Sequence, residues 1–370
     1  LLLAPLTKGG NLPYRRLCVD FGADITLSEM AFARKLIKGD RKERALLRRH
    51  PSEKIFGVQI AARKPDEALE AGKIVEDSGA DFIDLNCGCP IYETTRRGLG
   101  ATLLEKPNAI GAIVHALATN LSIPVTVKIR TGIKESKVNA SNVARIAEES
   151  GATAVTIHGR TKEQRYSKAA DWELISQIQG ERNIPIIGNG DIIYFAEAEY
   201  HRSHHHIPSL MLGRGALIKP WLFNEIKEGK EWQPSDKERV GVLFQFIQYL
   251  KEHFGDDELG LRRIGNFLPW HLGLFCRYVP FTDGDYSPDS STPLIHRRES
   301  LREDASLLTQ LLFRTEESIH QTIAKLLCES HNEEEVLSKL LDYASELDKI
   351  QDNADSTDRD FSQTDKFAAG

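Results

Sequence analysis

The residues of this chain best suited to chemistry begin with a pair of thiols. Asn86-Cys87-Gly88-Cys89-Pro90 follows directly on the apolar run Phe82-Ile83-Asp84-Leu85. Pro90 cannot donate to a strand ladder and Gly88 admits a turn that side chains resist, so Cys89 falls on a stiff bend where a strand ends. A thiol of ordinary pKa, about 8.5, stays protonated at neutral pH, whereas an ordinary carboxylic acid would be ionised. Cys89 is therefore a candidate reagent. Cys87 is the competing thiol, and a C-x-C metal or redox pair is the rival reading. No further Cys or His stands near it at metal-ligand spacing, and no metal site is assigned.

Two more groups accompany the thiols. Lys128 and His158 end two successive apolar runs, and Gln59 and Asn86 end the two before them. Four polar side chains at four successive strand ends can grip a planar heterocycle: a cation offsets negative charge on a ring and the others donate hydrogen bonds. Singly, each is equally a satisfied lysine, histidine or amide. The third group is Gly188-Asn189-Gly190-Asp191 and Gly213-Arg214-Gly215. Glycines after the last two strands bare backbone N–H groups, and Arg214 adds a charged fork, which together suit a phosphate; tight turns alone are the competing explanation.

These residues need a frame that brings strand ends to one place. Short β-rich runs alternate with helical patterns from residue 1 to about 230: Leu1-Ala4, Ile25-Leu27, Ile55-Ile60, Phe82-Leu85, Val125-Ile129, Ala154-Ile157, Ile184-Ile187 and Ser209-Leu212. Eight such runs predict an α/β fold, a (β/α)8 TIM barrel, over residues 1–230, with functional residues at its C-terminal rim. An open doubly wound sheet is the alternative, but no strand is followed by G-x-G-x-x-G. Gly22-Ala23-Asp24, Gly79-Ala80-Asp81 and Gly151-Ala152-Thr153 each end a helical pattern just before a strand, as left-handed caps do.

Beyond Pro234 the pattern is helical only. Residues 235–281 form an all-helical domain with Val240, Leu243, Phe244, Ile247 and Leu250 on one face, 282–293 a turn-rich linker, and 294–350 an acidic helical extension in which Val336, Leu340, Tyr343 and Leu347 recur. Residues 351–370 carry too few apolar side chains to be expected to order. His201, His204, His205 and His206 precede the eighth strand in a polar stretch, where a solvated loop is expected rather than a metal cluster.

Composition narrows the classes. The 370 residues are 41% apolar, with five cysteines, odd in number and scattered. No run approaches the ~20 apolar residues of a membrane span, no signal-peptide order is present, and the cysteines do not make a disulfide framework, so no membrane partner and a cytoplasmic or nuclear location are expected. The first residue is Leu1 in what reads as a core strand, so sequence upstream is expected. The chain's net charge of −6 is uneven: residues 301–370 hold 7 Lys+Arg against 16 Asp+Glu, net −9, which leaves +3 for residues 1–300. Arg34, Lys35, Lys38, Arg41, Lys42, Arg44, Arg48 and Arg49 share one short window, either a phosphate-binding surface or a solvated helix face.

The motifs LAPL, GVQI, DLNCGCP, VKIRTG, IHGRTKEQRY, IIGNGDI and MLGRGAL, in this order on successive strands, resemble the tRNA-dihydrouridine synthases over residues 1 to about 280. APLTKGGNLPYRRLC, RHPSEKIFGVQI and CRYVP resemble the eukaryotic type 3 branch, which acts on the tRNA variable loop. The resemblance implies FMN in the barrel mouth, with Pro5, Leu6 and Thr7 edging the ring, Gln59, Lys128 and His158 bonding it, and Asn189, Gly190, Asp191, Gly213 and Arg214 holding its phosphate. It further implies Cys89 as catalytic acid, with hydride arriving at C6 of uracil and the thiol proton at C5, and NADPH as transient reductant. Asn86, Arg130 and Arg160 would contact substrate, and Arg96, Arg97, Lys162 and Arg165 share their rim. The partner implied is tRNA, with messenger RNA a second candidate and no stable protein partner; the uracil must be turned out of the stack to reach the mouth. Two alternatives stay open: a tRNA-binding module without catalysis, and a flavin barrel that reduces a free pyrimidine. Beyond Pro280 the chain leaves the family pattern.

Overall fold

The computed structural model describes residues 1–364 apart from 283, 289, 291, 298–300, 302 and 303, with side chains described to residue 350. The chain divides into two units, Leu1–Trp232 with Pro280–Arg297, and Gln233–Val279 with Arg298–Gly370. The first contains nine parallel strands: β1 (Leu2–Leu3), β2 (Ile25–Leu27), β3 (Ala31–Phe32), β4 (Ile55–Ala61), β5 (Phe82–Cys87), β6 (Val125–Arg130), β7 (Ala154–His158), β8 (Ile186–Asn189) and β9 (Ser209–Leu212). Their hydrogen-bonded order is β2-β1-β9-β8-β7-β6-β5-β4-β3, and β2 also pairs with β4. The ring is thereby closed as the expected eight-stranded barrel. β3 is an addition that sequence did not predict, two residues alongside the end of β4. The seventh predicted run starts two residues late, at Ile186, because Pro185 has no N–H for the ladder.

Alternation fixes what faces inward. Register sets Gly57 beside Phe82, Gln59 beside Asp84, Asp84 beside Thr126, Asn86 beside Lys128 and His158 beside Asn189. A Cβ on Gly57 would lie 2.2 Å from the Phe82 ring, so glycine there leaves room for a phenyl group that fills the lower barrel beside Leu2, Leu27, Ile187 and Met211. One layer higher the interior turns polar, and Asp84 accepts from Gln59 Nε2 (2.7 Å) and Thr126 Oγ1 (2.6 Å). Ile83, Leu85 and Cys87, on the opposite face of β5, are buried.

The glycine caps recur as one device. Gly22, Gly79 and Gly151 have φ of 92°, 81° and 100°. Two residues on, the N–H of Asp24, Asp81 and Thr153 reaches the carbonyl of Leu1, Phe56 and Val125, so each helix is returned to its strand by the same bond.

A buried ion pair ties the first helix to the barrel. Arg15, in the helix Leu12–Asp20, donates to Glu53 Oε1 (2.7 Å) and to the carbonyls of Gly10 and Arg48. Glu53 also accepts from Thr26 Oγ1 and His50 N.

In the second unit the helices Asp236–Phe254, Glu258–Phe275, Leu307–Phe313, Glu317–Cys328 and Glu333–Thr364 pack together. Its boundaries differ from the sequence expectation. Pro280–Arg297, expected to contain a linker, belongs with the barrel, while the acidic extension belongs with residues 233–279. Phe246, not Phe244, is among the buried residues of the first of these helices. The last helix continues to Thr364 through most of the stretch expected not to order; 365–370 lie outside the described residues. Among the described residues no helix is long and apolar enough to cross a membrane.

Removing one partner of a buried pair strands the other's charge, at about 3–5 kcal/mol. Arg15→Met should therefore lower the urea midpoint of the barrel transition by that equivalent, while exposed Arg41→Met should leave it within experimental error.

Candidate active site

The turn after β5 is built by Asn86. Its Oδ1 accepts the N–H of Gly88 (3.3 Å) and of Cys89 (3.0 Å), and its Nδ2 donates to Gln59 Oε1 (2.8 Å). From the other side Arg130 Nε donates to the Gly88 carbonyl (2.9 Å), and Ala101 N to the Cys89 carbonyl (3.0 Å). Gly100, at φ 61°, brings the returning chain so close that a Cβ there would stand 2.6 Å from the Cys89 oxygen. Cys89 is clamped on both sides, with Sγ 3.5 Å from Thr94 Oγ1. Of the five free cysteines Cys89 alone is half-buried; Cys18, Cys87, Cys276 and Cys328 are buried. Burial, with the nearby Asp84 carboxylate, pushes the Cys87 thiol well above its ordinary range. The competition between the two thiols is thus resolved by strand alternation, which sends Cys87 outward into the core.

Lys128 and His158 meet at the mouth. Lys128 Nζ donates to Asn189 Oδ1 (2.9 Å), and Asn189 is itself fixed by donating Nδ2 to the Met211 carbonyl (2.8 Å). Burial first, then the neighbouring Arg130, lowers Lys128 to about 8, with Asp84 opposing them. His158 is held well below the usual imidazole range by burial and by Arg130, Lys128, Arg160 and Arg214. It is therefore neutral. Since Arg160 Nη1, 3.4 Å from His158 Nε2, can only donate, the ring proton belongs on Nδ1.

The loops after β7, β8 and β9 converge on Asp191, whose backbone has φ 52°. Its carboxylate accepts from Arg160 Nη2 (2.7 and 2.5 Å), Ala170 N (2.7 Å) and Arg214 Nη2 (3.2 Å). Two guanidinium groups against one carboxylate leave the neighbourhood net positive beside Gly190 and Gly213. Tyr166 lies over this corner, its ring 4.2 Å from the Arg214 guanidinium and 5.9 Å from the His158 ring.

Three sequence expectations change here. Arg160 is fully buried, and besides Asp191 it serves the Lys168 carbonyl, so it builds the mouth and does not face a substrate. Arg130 is buried too, its donors engaged by the carbonyls of Gly88, Thr161 and Arg165. Asn86 has its carbonyl oxygen committed to the turn. Gln59, with no exposure at all, links Asn86 to Asp84 beneath the mouth. Pro5 and Leu6 are half-buried and Thr7 exposed just past β1, where Leu6 packs on the barrel core.

Of the four histidines expected in a solvated loop, His204 and His206 are exposed, but His201 and His205 are packed. His201 stacks on Trp172 at 3.7 Å and lies 3.2 Å, Nδ1 to Nδ1, from buried His205. Burial and His205 lower His201 to about 3. Among the described residues no group of three or more His, Cys, Asp or Glu is placed to hold a metal ion.

Comparison with known proteins follows the same residues. The family described as dihydrouridine synthase (Dus) matches residues 2–275. The chain belongs to the dihydrouridine synthase family. It is 43% identical over 295 residues to the tRNA-dihydrouridine(47) synthase (NAD(P)(+)) of Coprinopsis cinerea, covering 75% of this chain and 43% of that protein. It is 44% identical over 284 residues to the tRNA-dihydrouridine(47) synthase (NAD(P)(+))-like protein of Oryza sativa subsp. japonica, covering 76% and 42%. Against the protein of that name in Homo sapiens it is 42% identical over 282 residues, covering 76% and 43%. The chain thus spans less than half the length of these relatives.

Within this dihydrouridine synthase barrel, three contributors have little or no signal in the sequence. Thr94 touches the thiol from a four-residue helix too short to show a period. Tyr166 stands in a loop whose only signal is the IHGRTKEQRY motif. His296, with Nε2 3.4 Å from Arg160 Nη2, comes from the start of the stretch expected to be an acidic helical extension, and nothing in the sequence marks it.

Two measurements check this geometry. Brief treatment of the native protein with iodoacetamide, followed by peptide mass spectrometry, should find one adduct, at Cys89, with Cys87 labelled only after unfolding. Lysine 13Cε NMR should show Lys128 titrating near pH 8, against 10.5 for an unhindered lysine. Because its folded pKa is depressed, the unfolded chain binds more protons between those values, so the Lys128 contribution to stability rises with pH across about 8 to 10.5. That rise should disappear in Lys128→Met.

Proposed function

We propose that this chain is the catalytic part of a flavin-dependent tRNA-dihydrouridine synthase, which reduces a uridine of the tRNA variable loop, position 47 in the relatives' names, with NADPH as reductant. The observation that carries the reading is the clamped, half-buried Cys89 on the same rim as a half-buried lysine and a neutral histidine. The family membership supports it.

The mouth suits FMN on its own chemistry. Lys128 is a half-buried ammonium with one hydrogen bond among the described residues for three donors, and the Nδ1–H of His158 has no partner among them, so both call for acceptors from a ligand. Lys128 and His158, edged by Pro5, Leu6 and Thr7, would hold the ring, while Gln59, expected to join them, braces Asn86 beneath the mouth. Asn189, Gly190, Asp191, Gly213 and Arg214 would hold the phosphate, where two arginines outweigh one carboxylate. When bound, FMN supplies the hydride that goes to C6 of uracil.

The chain's own part is the proton. Cys89 Sγ donates it to C5, and the thiolate that remains is offset by the Arg130 guanidinium, whose charge reaches Cys89 from its seat on the Gly88 carbonyl. Thr94 Oγ1 steadies the sulfur beforehand, and Asn86, by fixing the turn, sets its position.

A positioned general acid contributes about 10²–10⁴-fold. Cells whose own enzyme is deleted and which express Cys89→Ala should therefore lose the dihydrouridine at this site, read by mass spectrometry of purified tRNA, while Cys87→Ala restores it. Full restoration by Cys89→Ala would remove the assigned acid.

A further inference from the structure

Six of the eight cations in the basic window at residues 34–49 face solvent without an acidic partner among the described residues. The window's only acids are used inward: Asp40 caps the helix Arg41–Ala45 by accepting from Lys42 N and Glu43 N, and buried Glu43 accepts from Phe32 N and Lys35 Nζ. Arg49 is held by Asp81 and by backbone carbonyls. Arg34, Lys38, Arg41, Lys42, Arg44 and Arg48 are exposed, and none makes an ion pair among the described residues.

This surface is continuous with the turn that bears the thiol. The Phe32 ring has Lys35 Nζ 5.3 Å from its centroid and the Arg97 guanidinium 5.2 Å from it, and Arg63 Nη1 reaches the Arg97 carbonyl at 3.4 Å. Arg97 belongs to the segment that follows Cys89. On that segment Ile91 and Tyr92 are 51% and 73% exposed, with the Arg96 guanidinium 5.9 Å from the Tyr92 ring. Arg96 and Arg97 share Glu93, at 2.5 and 4.0 Å, so the unpaired cations are Arg34, Lys38, Arg41, Lys42, Arg44 and Arg48; with the exposed ring of Tyr92 they offer the surface chemistry that takes single-stranded or looped nucleic acid, phosphates on the charges and a base on the ring.

We propose that the RNA backbone runs along the exposed cations of residues 34–48, crosses Phe32 and Arg97, and stacks a nucleotide adjoining the reacting uridine on Tyr92. The inference rests on the reading of the chain as a tRNA-modifying enzyme and adds where the RNA lies and what holds it.

The test is tRNA binding by the full chain at several salt concentrations. Arg41→Gln/Arg44→Gln removes two exposed charges one helical turn apart, and Lys227→Gln/Lys230→Gln, from the end of the helix Leu222–Glu228, serves as control. The plot of log affinity against log salt should become shallower by roughly two for the first pair, about one for each phosphate no longer neutralised, and stay unchanged for the control. Tyr92→Ala should bind about tenfold more weakly at every salt concentration, and Tyr92→Phe should bind as the parent does. Equal slopes for the two double variants, or parent-like binding by Tyr92→Ala, would overturn the proposal. If the parent chain itself shows no salt-dependent affinity for tRNA, the functional reading fails first, before any variant is compared.

Discussion

One buried ion pair organises the mouth of this barrel. Arg160 and Asp191 come from loops after different strands, and both are buried, 0% and 5% exposed at their side chains. Two charges out of water need nearly every hydrogen-bonding atom occupied. Here Ala170 N and Arg214 complete the carboxylate, while the Lys168 carbonyl and His158 take the guanidinium's remaining donors. The pair therefore determines the tautomer of His158, the seat of Arg214 and the path of the chain around residue 170. The charge of the aspartate is outweighed by the two guanidinium groups on it.

The same economy appears around the thiol. The strongest restraints on Cys89 act on its backbone. Asn86 from below, Arg130 from the side and Gly100 from above restrain the backbone of Cys89 and leave the sulfur to its chemistry. Arg130 has a double part, as a brace on Gly88 and as a positive charge that reaches Cys89.

The barrel was legible in the chain because its strands are short apolar runs and three helix ends are marked by Gly-Ala-Asp or Gly-Ala-Thr, the backbone needing a positive φ there and only glycine taking it without strain. Cys89, Lys128 and His158 were legible for the same reason, since strand ends fix where they point. Arg130 and Arg160 were not. A charged residue at a strand end reads as solvent-facing, and only the folded loop shows that carbonyls of Gly88, Thr161 and Lys168 close over it. His201 and His205 misled in the same way, because the indole that buries them, Trp172, is about thirty residues earlier in the chain.

Phe82 has a further effect. With its ring set against Gly57, among Leu2, Leu27, Ile187 and Met211, the cylinder is stoppered at the bottom. A vessel with one opening imposes a queue: two reactants that need the same interior face cannot occupy it together, and each visitor must back out before the next arrives. Whatever enters this cylinder would then leave by the end it came in, turned back by a phenyl group it need not touch.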